Sequence, residues 1–201
     1  MGKLYTVMGK SATGKDHIYK AVVERCPTPL RTIVPYTTRP QRTSETEGVE
    51  YHFVTEAQMY ELRWQGKIIE CRCYETVNGP WYYFTADDGQ IDLDAGSSIL
   101  IATPEAYGQI RAYYGAERVV PIYIEVEDGE RLRRAIKREA KQEHPEYKEV
   151  CRRFLADSED FSDEALAGLG IEKRYENVDF ERCVAEILAD IAGDSGHVEL
   201  S

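Results

Sequence analysis

The residues most able to do chemistry lie in GKSATGKD, from Gly9 to Asp16. This stretch nearly matches the phosphate-binding pattern G-x-x-x-x-G-K-[ST]. Gly9, Gly14 and Lys15 stand where the pattern requires them, with Lys10, Ser11, Ala12 and Thr13 between. Glycines let backbone N–H groups turn onto phosphate oxygens, and a following helix aims its positive end at them. Lys15 adds a mobile point charge. The last position, usually a hydroxyl that ligates magnesium, is Asp16. A second cluster occupies YTTRPQRTSETEGVEYHFV. Arg39 and Arg42 flank Pro40 there, and Tyr51 follows a Gly-containing turn. Two guanidinium forks and a phenol can hold a phosphate dianion; two solvated loop arginines are the competing reading.

Positioning these residues requires an α/β arrangement. Residues 3–8 read as a buried strand, followed by the loop and a helix from about Lys15 to Arg25, with Ile18, Val22 and Arg25 on one face beside Ala21. Cys26-Pro27 ends that helix. LRTIVPYTTRP reads as a short strand entering a turn, and GVEYHFVT as a half-exposed strand. Thr55 is a plausible cap for a helix ending at Gly66. KIIECRCYETV, WYYFTAD, SSILIAT and VVPIYIEV read as strands, and the last two are continuous enough for a parallel sheet covered on both faces. PEAYGQIRAYYG is a crossover helix between them. Asp128 to Phe161 is charged and helical, broken near Pro145. IEKRYEN is a last strand, Asp179 caps a final amphipathic helix, and GDSGHVELS is a loose tail.

The 201 residues suffice for one domain with inserted lobes. The net charge of −11 argues against a general nucleic-acid or membrane binder, yet leaves room for small phosphorylated ligands. No apolar run approaches the roughly 18–20 residues of a membrane span. MGKLYTVMGK reads as a strand rather than a signal peptide, so cytoplasmic residence is expected. Cys26, Cys71, Cys73, Cys151 and Cys183 form no C-x-x-C pair, and are expected to be reduced core thiols.

Together these stretches resemble the guanylate kinase family. Thr37, Thr38, Arg39, Arg42, Gly48, Tyr51, Phe53 and Val54 follow the order of its T-T-R-x-x-R and G-x-x-Y-x-F-V motifs. Gly66–Glu70 resembles its G-x-x-x-E, and Tyr82–Thr85 its Y-Y-G-[ST]. The resemblance implies a P-loop nucleoside monophosphate kinase that phosphorylates GMP from ATP with Mg2+. Its parallel sheet would carry helices on both faces. The core would comprise about residues 1–34, 86–128 and 162–192, with an acceptor lobe at 35–85 and a lid at 129–161. By the same resemblance, Arg39, Arg42, Tyr51 and Tyr83 would hold the acceptor phosphate. Glu70 would accept from guanine N1–H and the 2-amino group, and Thr85 would donate to O6. Arg138 and Arg153, with Arg152 as a rival, would approach the ATP phosphates, and Asn177 would lie near the adenine.

The sequence departs from the family at several points. Thr103 stands where the family has an Asp near metal and acceptor, so Asp16 is expected to supply the displaced acid. Pro35 and Tyr36 replace small hydroxyl residues, and Phe84 replaces a glycine and is expected to narrow the base pocket. Two further readings stay open: a same-fold kinase of another phosphorylated acceptor, such as a ribose bisphosphate, and a non-catalytic guanylate-kinase-like binding module.

Overall fold

Side-chain alternation in the first strand organises the core. In β1 (Leu4–Met8), Leu4 and Met8 point to one face of the sheet, and Tyr5 and Val7 to the other; all are buried. The computed structural model describes residues 2–43, 45–76 and 79–196. After β1 come α1 (Lys15–Arg25), β2 (Arg31–Thr32), β3 (Tyr36–Thr37), β4 (His52–Phe53) and α2 (Glu56–Trp64). Then follow β5 (Ile68–Thr76), β6 (Gly79–Ala86), β7 (Ser98–Ile101), α3 (Pro104–Tyr114) and β8 (Val119–Glu125). The chain continues through α4 (Asp128–Glu139), α5 (Tyr147–Asp160), α6 (Asp163–Gly168), β9 (Arg174–Glu176) and α7 (Phe180–Gly196).

Five strands form a parallel sheet in the order β2-β7-β1-β8-β9. Leu4 and Met8 pack with Leu100, Tyr123, Tyr107 and Ile110 under α3, while Leu166 brings α6 to the same face. Tyr5 and Val7 pack with Ile18 and Val22 of α1 and with Val184 and Ile187 of α7 on the opposite face. Both faces are therefore covered, as the apolar runs require. A second sheet, β4-β3-β6-β5, is mainly antiparallel and has its own core of Met59, Phe84 and Ala86 beneath α2. The α2 start carries a capping box, in which Thr55 accepts from the Gln58 amide and the Gln58 side chain accepts from the Thr55 amide.

Several local expectations need correction. LRTIVPYTTRP splits into β2 and β3, which belong to different sheets, because Val34-Pro35 interrupts the ladder. GVEYHFVT yields only His52–Phe53 as a strand. The short helix α6 was not expected. The final helix continues to Gly196, so GDSG is helical, while 197–201 lie outside the described residues. Among the cysteines only Cys183 is buried; Cys26 and Cys71 are half-buried, and Cys73 and Cys151 are exposed. Phe84 points into the second core and stacks on Tyr36, with centroids 5.1 Å apart, so its bulk lies away from the face of Tyr83 and Thr85.

Candidate active site

The loop after β1 is shaped by close backbone approach. A Cβ on Gly9 would meet the Ile124 carbonyl oxygen at 2.7 Å, and one on Gly14 would meet Asn177 Nδ2 at 2.7 Å. Gly14 has φ 83°, which favours glycine. Ala12 also adopts a positive φ, 64°, without that freedom, a strained conformation that the loop imposes at its crown. Thr13 Oγ1 donates to the Lys10 carbonyl at 2.9 Å and ties the turn together. No side chain caps α1, so its first amides point at the loop interior. Asn177 is buried and donates from Nδ2 to the Thr13 carbonyl at 2.7 Å. It buttresses the loop from behind; its neighbours Glu176 and Val178 line a cavity of about 410 Å³ with Lys10, Thr13 and Tyr123.

Arg131, which the sequence reading missed, joins α4 and α5 to the loop. It is 1% exposed and donates to the Ser11 carbonyl at 3.1 Å and to Asp157 at 3.2 Å, with Asp128 also paired to it. Its guanidinium lies over the Phe154 ring at 4.9 Å. Asp157 accepts from the Ser11 amide at 2.7 Å. One signal pointed here: Arg131 and Ala135 share one turn-spaced stripe of α4, and an arginine on a buried stripe needs an anionic partner. Arg138 and Arg153 are exposed and line a cleft with Ser11. Arg153 and Arg152 both pair with Glu149, which the bonds from Arg152 and then Arg153, outweighing its slight burial, hold down to about 2.

Between β3 and β4 the two arginines differ in their partners. Arg39 is 3% exposed. Its two Nη groups bind both oxygens of Glu45 at 2.8 and 2.9 Å, and its Nε donates to Tyr83 Oη at 3.2 Å. Glu45 also accepts from the Arg42 amide, and the bond from Arg39 holds its carboxyl below the usual range. Arg39 is thus paired with Glu45, an anion that its own loop supplies. The Arg42 side chain is exposed and makes no hydrogen bond among the described residues. Tyr51 packs edge-on against Tyr83, with Arg39 above its ring at 5.5 Å.

Glu70 and Thr85 are paired across β5 and β6, and both are 2% exposed. Thr85 Oγ1 donates to Glu70 Oε1 at 2.9 Å. Arg72, unmarked in the sequence reading, donates to the two carboxylate oxygens from Nε at 3.0 Å and Nη2 at 3.3 Å. Glu70, Arg72 and Thr85 therefore form one hydrogen-bonded group across β5 and β6. The i, i+2 spacing on one strand face was the available signal for the Glu70–Arg72 pair. Thr103 caps α3 by accepting from the Ala106 amide, and its Oγ1 lies 3.4 Å from Arg72 Nη1. A cavity of about 210 Å³ connects the two sides, lined by Gly9, Ser11, Lys15, Tyr51, Arg72 and Thr103.

Asp16 is exposed, makes no hydrogen bond or ion pair among the described residues, and lines a neighbouring cavity with Pro35 and Tyr51. An unengaged carboxylate beside Lys15 fits a hard cation such as magnesium. No cluster of three or more His, Cys, Asp or Glu suited to a metal occurs among the described residues. No helix among them is long and apolar enough to cross a membrane.

A family model described as guanylate kinase matches residues 1–180. A guanylate kinase of Rhodopirellula baltica is 30% identical over 100 residues, and one of Aliivibrio fischeri 38% over 101. Each of these matches covers 50% of this chain and 47% of the relative, so the chain spans about half the length of these relatives. A guanylate kinase of Alkalilimnicola ehrlichii is 29% identical across 98% of this chain and 92% of its own length. The crystal structure of guanylate kinase from Anaplasma phagocytophilum superposes with a TM-score of 0.66 at 20% identity, covering 96% of this chain and 86% of that one, a likeness of fold. With the glycine-shaped loop at the end of β1 and a model match running through nine-tenths of the sequence, the chain belongs to the guanylate kinase family.

Proposed function

We propose that the chain transfers the γ-phosphoryl group of ATP to the phosphate of GMP. The observation that carries this reading is the shared cavity, where the loop's Gly9, Ser11 and Lys15 face Tyr51 and Arg72 of the acceptor side. ATP would lie with its phosphates in the loop and its base in the cavity beside Thr13, Tyr123 and Val178. An oxygen of the acceptor phosphate attacks the γ-phosphorus, the bond to the β–γ bridging oxygen breaks, and ADP leaves. No protein nucleophile takes part; Lys15 and the loop amides neutralise charge on the moving oxygens. Arg138 and Arg153 reach the phosphates from the lid, and Arg39 and Arg42 serve the acceptor phosphate. Residues 35–85 act as the acceptor lobe and 129–161 as the lid of a core of about residues 1–34, 86–128 and 162–192. Asp16 would hold magnesium, which when bound would supply positive charge against the ATP phosphates.

Two measurements test this. ADP formation with ATP, magnesium and a panel of nucleoside monophosphates should show GMP consumption; no consumption of any of them would sink the reading. Asp16→Ser should raise the magnesium concentration needed for half-maximal rate, and an unchanged midpoint would remove Asp16 from the metal.

A further inference from the structure

The loop after β1 is braced in two different ways. Thr13 Oγ1 and Asn177 Nδ2 both donate to loop carbonyls, at 2.9 and 2.7 Å, and neither consumes a loop amide. Asp157 of α5 does the reverse. Its Oδ2 accepts from the Ser11 amide at 2.7 Å, and among the described residues it is the one side chain that takes an amide of the loop. An N–H carries one hydrogen, so an amide held by this carboxylate has none left for a phosphate oxygen. Carboxylate and phosphate present an amide with the same partner, an anionic oxygen.

Arg131 fixes the carboxylate there. Its Nη1 donates to Asp157 Oδ2 at 3.2 Å and to the Ser11 carbonyl at 3.1 Å, so one ion pair grips both backbone groups of Ser11. Phe154, three residues before Asp157 on α5, lies against the same guanidinium at 4.9 Å. Parting the pair does not strand a buried cation. Asp128 stays with Arg131 through Nε at 3.0 Å and Nη2 at 2.9 Å. Asp157 is half-buried and lines the cavity that also holds Gly9, Ser11 and Lys15, so its carboxylate is hydrated once released.

Resting on the kinase reading above, we infer that Asp157 is an internal stand-in for an ATP phosphate oxygen, an autoinhibitory contact by which α5 occupies the Ser11 amide until ATP displaces it. Affinity for ATP is then lower than the loop alone would give, in proportion to the fraction of chains with the contact open. Affinity for the acceptor is untouched.

Isothermal titration of ATP, with GMP as control, against Asp157→Ala, Asp157→Asn and Asp160→Asn tests this. Asp160 lines the same cavity but makes no hydrogen bond to the loop, so it reports the loss of charge alone. Asp157→Ala should tighten ATP binding by about 10-fold, and Asp157→Asn by about 3-fold or more, because an amide oxygen is the weaker acceptor. Asp160→Asn should stay within about 2-fold of the unaltered chain, as should GMP binding in all three. Equal gains at positions 157 and 160 would reduce the effect to charge repulsion and overturn the inference. Unchanged or weaker ATP binding in folded Asp157 variants would make the contact a brace and overturn it too, with the kinase reading intact in both cases. A second readout needs no variant to fold. In the unaltered chain, nuclear Overhauser contact between the Ser11 amide and the Asp157 β-protons should be present without nucleotide and lost at saturating ATP. Its persistence with ATP bound, or its absence before ATP is added, would overturn the inference. If the unaltered chain binds no ATP at all, the kinase reading falls and the inference with it.

Discussion

The loop after β1 and the arginines around the second sheet present positive charge in opposite ways. The loop offers backbone: open amides at the start of α1, glycines where a Cβ would collide, and a buried amide behind Thr13. Lys15 stands in it with no ion pair among the described residues. The second sheet offers side chains, and two of its cations are already matched, the buried Arg39 by Glu45 and the half-buried Arg72 by Glu70. A site built from backbone is specified by local sequence, since glycine spacing and φ preferences act within a few residues. A site built from ion pairs is specified by whatever acid the fold brings alongside, here six residues away for Arg39 and two for Arg72.

The contrast predicts different kinds of damage. The largest effect is expected on the donor side. Lys15→Ala should lower kcat by about 10²–10³-fold, equivalent to about 2.7–4 kcal/mol, while leaving the urea midpoint nearly unchanged, because no internal pair depends on it. An unfolding shift comparable to the loss of rate would erase the distinction.

Next comes Glu45→Ala, which leaves the Arg39 guanidinium without its bidentate partner. Stability should fall by about 1.5–3 kcal/mol in urea titration. A smaller loss in Arg39→Ala/Glu45→Ala than the sum of the single changes would identify the pair as one unit.

Ala12→Gly should be smaller and of opposite sign. Relief of the positive φ should raise stability by about 0.5–1 kcal/mol, less whatever backbone entropy glycine adds to the unfolded chain. A loss of stability would mean that the Ala12 methyl packs the loop and that side chains, too, shape the donor side.

The smallest expected effect lies in α5. Glu149 is held to about 2 by its bonds to Arg152 and Arg153, below an ordinary value of 4.5. A depressed carboxyl contributes stability above its unfolded pKa and loses it as pH falls. Stability should therefore decline from about pH 4.5 toward 2, and less steeply in Glu149→Gln, as read by urea midpoints at stepped pH. Parallel curves would show these exposed pairs to be inert.

Much of the architecture was legible in order along the chain. The buried run of β1, the loop, α1 and the Thr55 capping box all follow from contacts within a few residues. The splitting of LRTIVPYTTRP between two sheets was not legible, because each half pairs with a distant strand, β2 with β7 and β3 with β6. Phe84 likewise could not be assigned to the lobe core until β3 placed Tyr36 against it.

By itself, the sequence determined that a phosphate-binding loop stands between a strand and a helix, and that the strands after it make a covered parallel sheet. Both rest on local physics: glycine's freedom, helix-end amides and the period of apolar residues. Only the tertiary structure decided which charges the site has available. Arg131 is buried because α5 brings Asp157 to it and to the Ser11 amide. Arg72 is paired because β5 sets it beside Glu70, which Thr85 of β6 also reaches. Electrostatic partners act through space and at short range, so their pairing follows the fold rather than the spacing of residues along the chain.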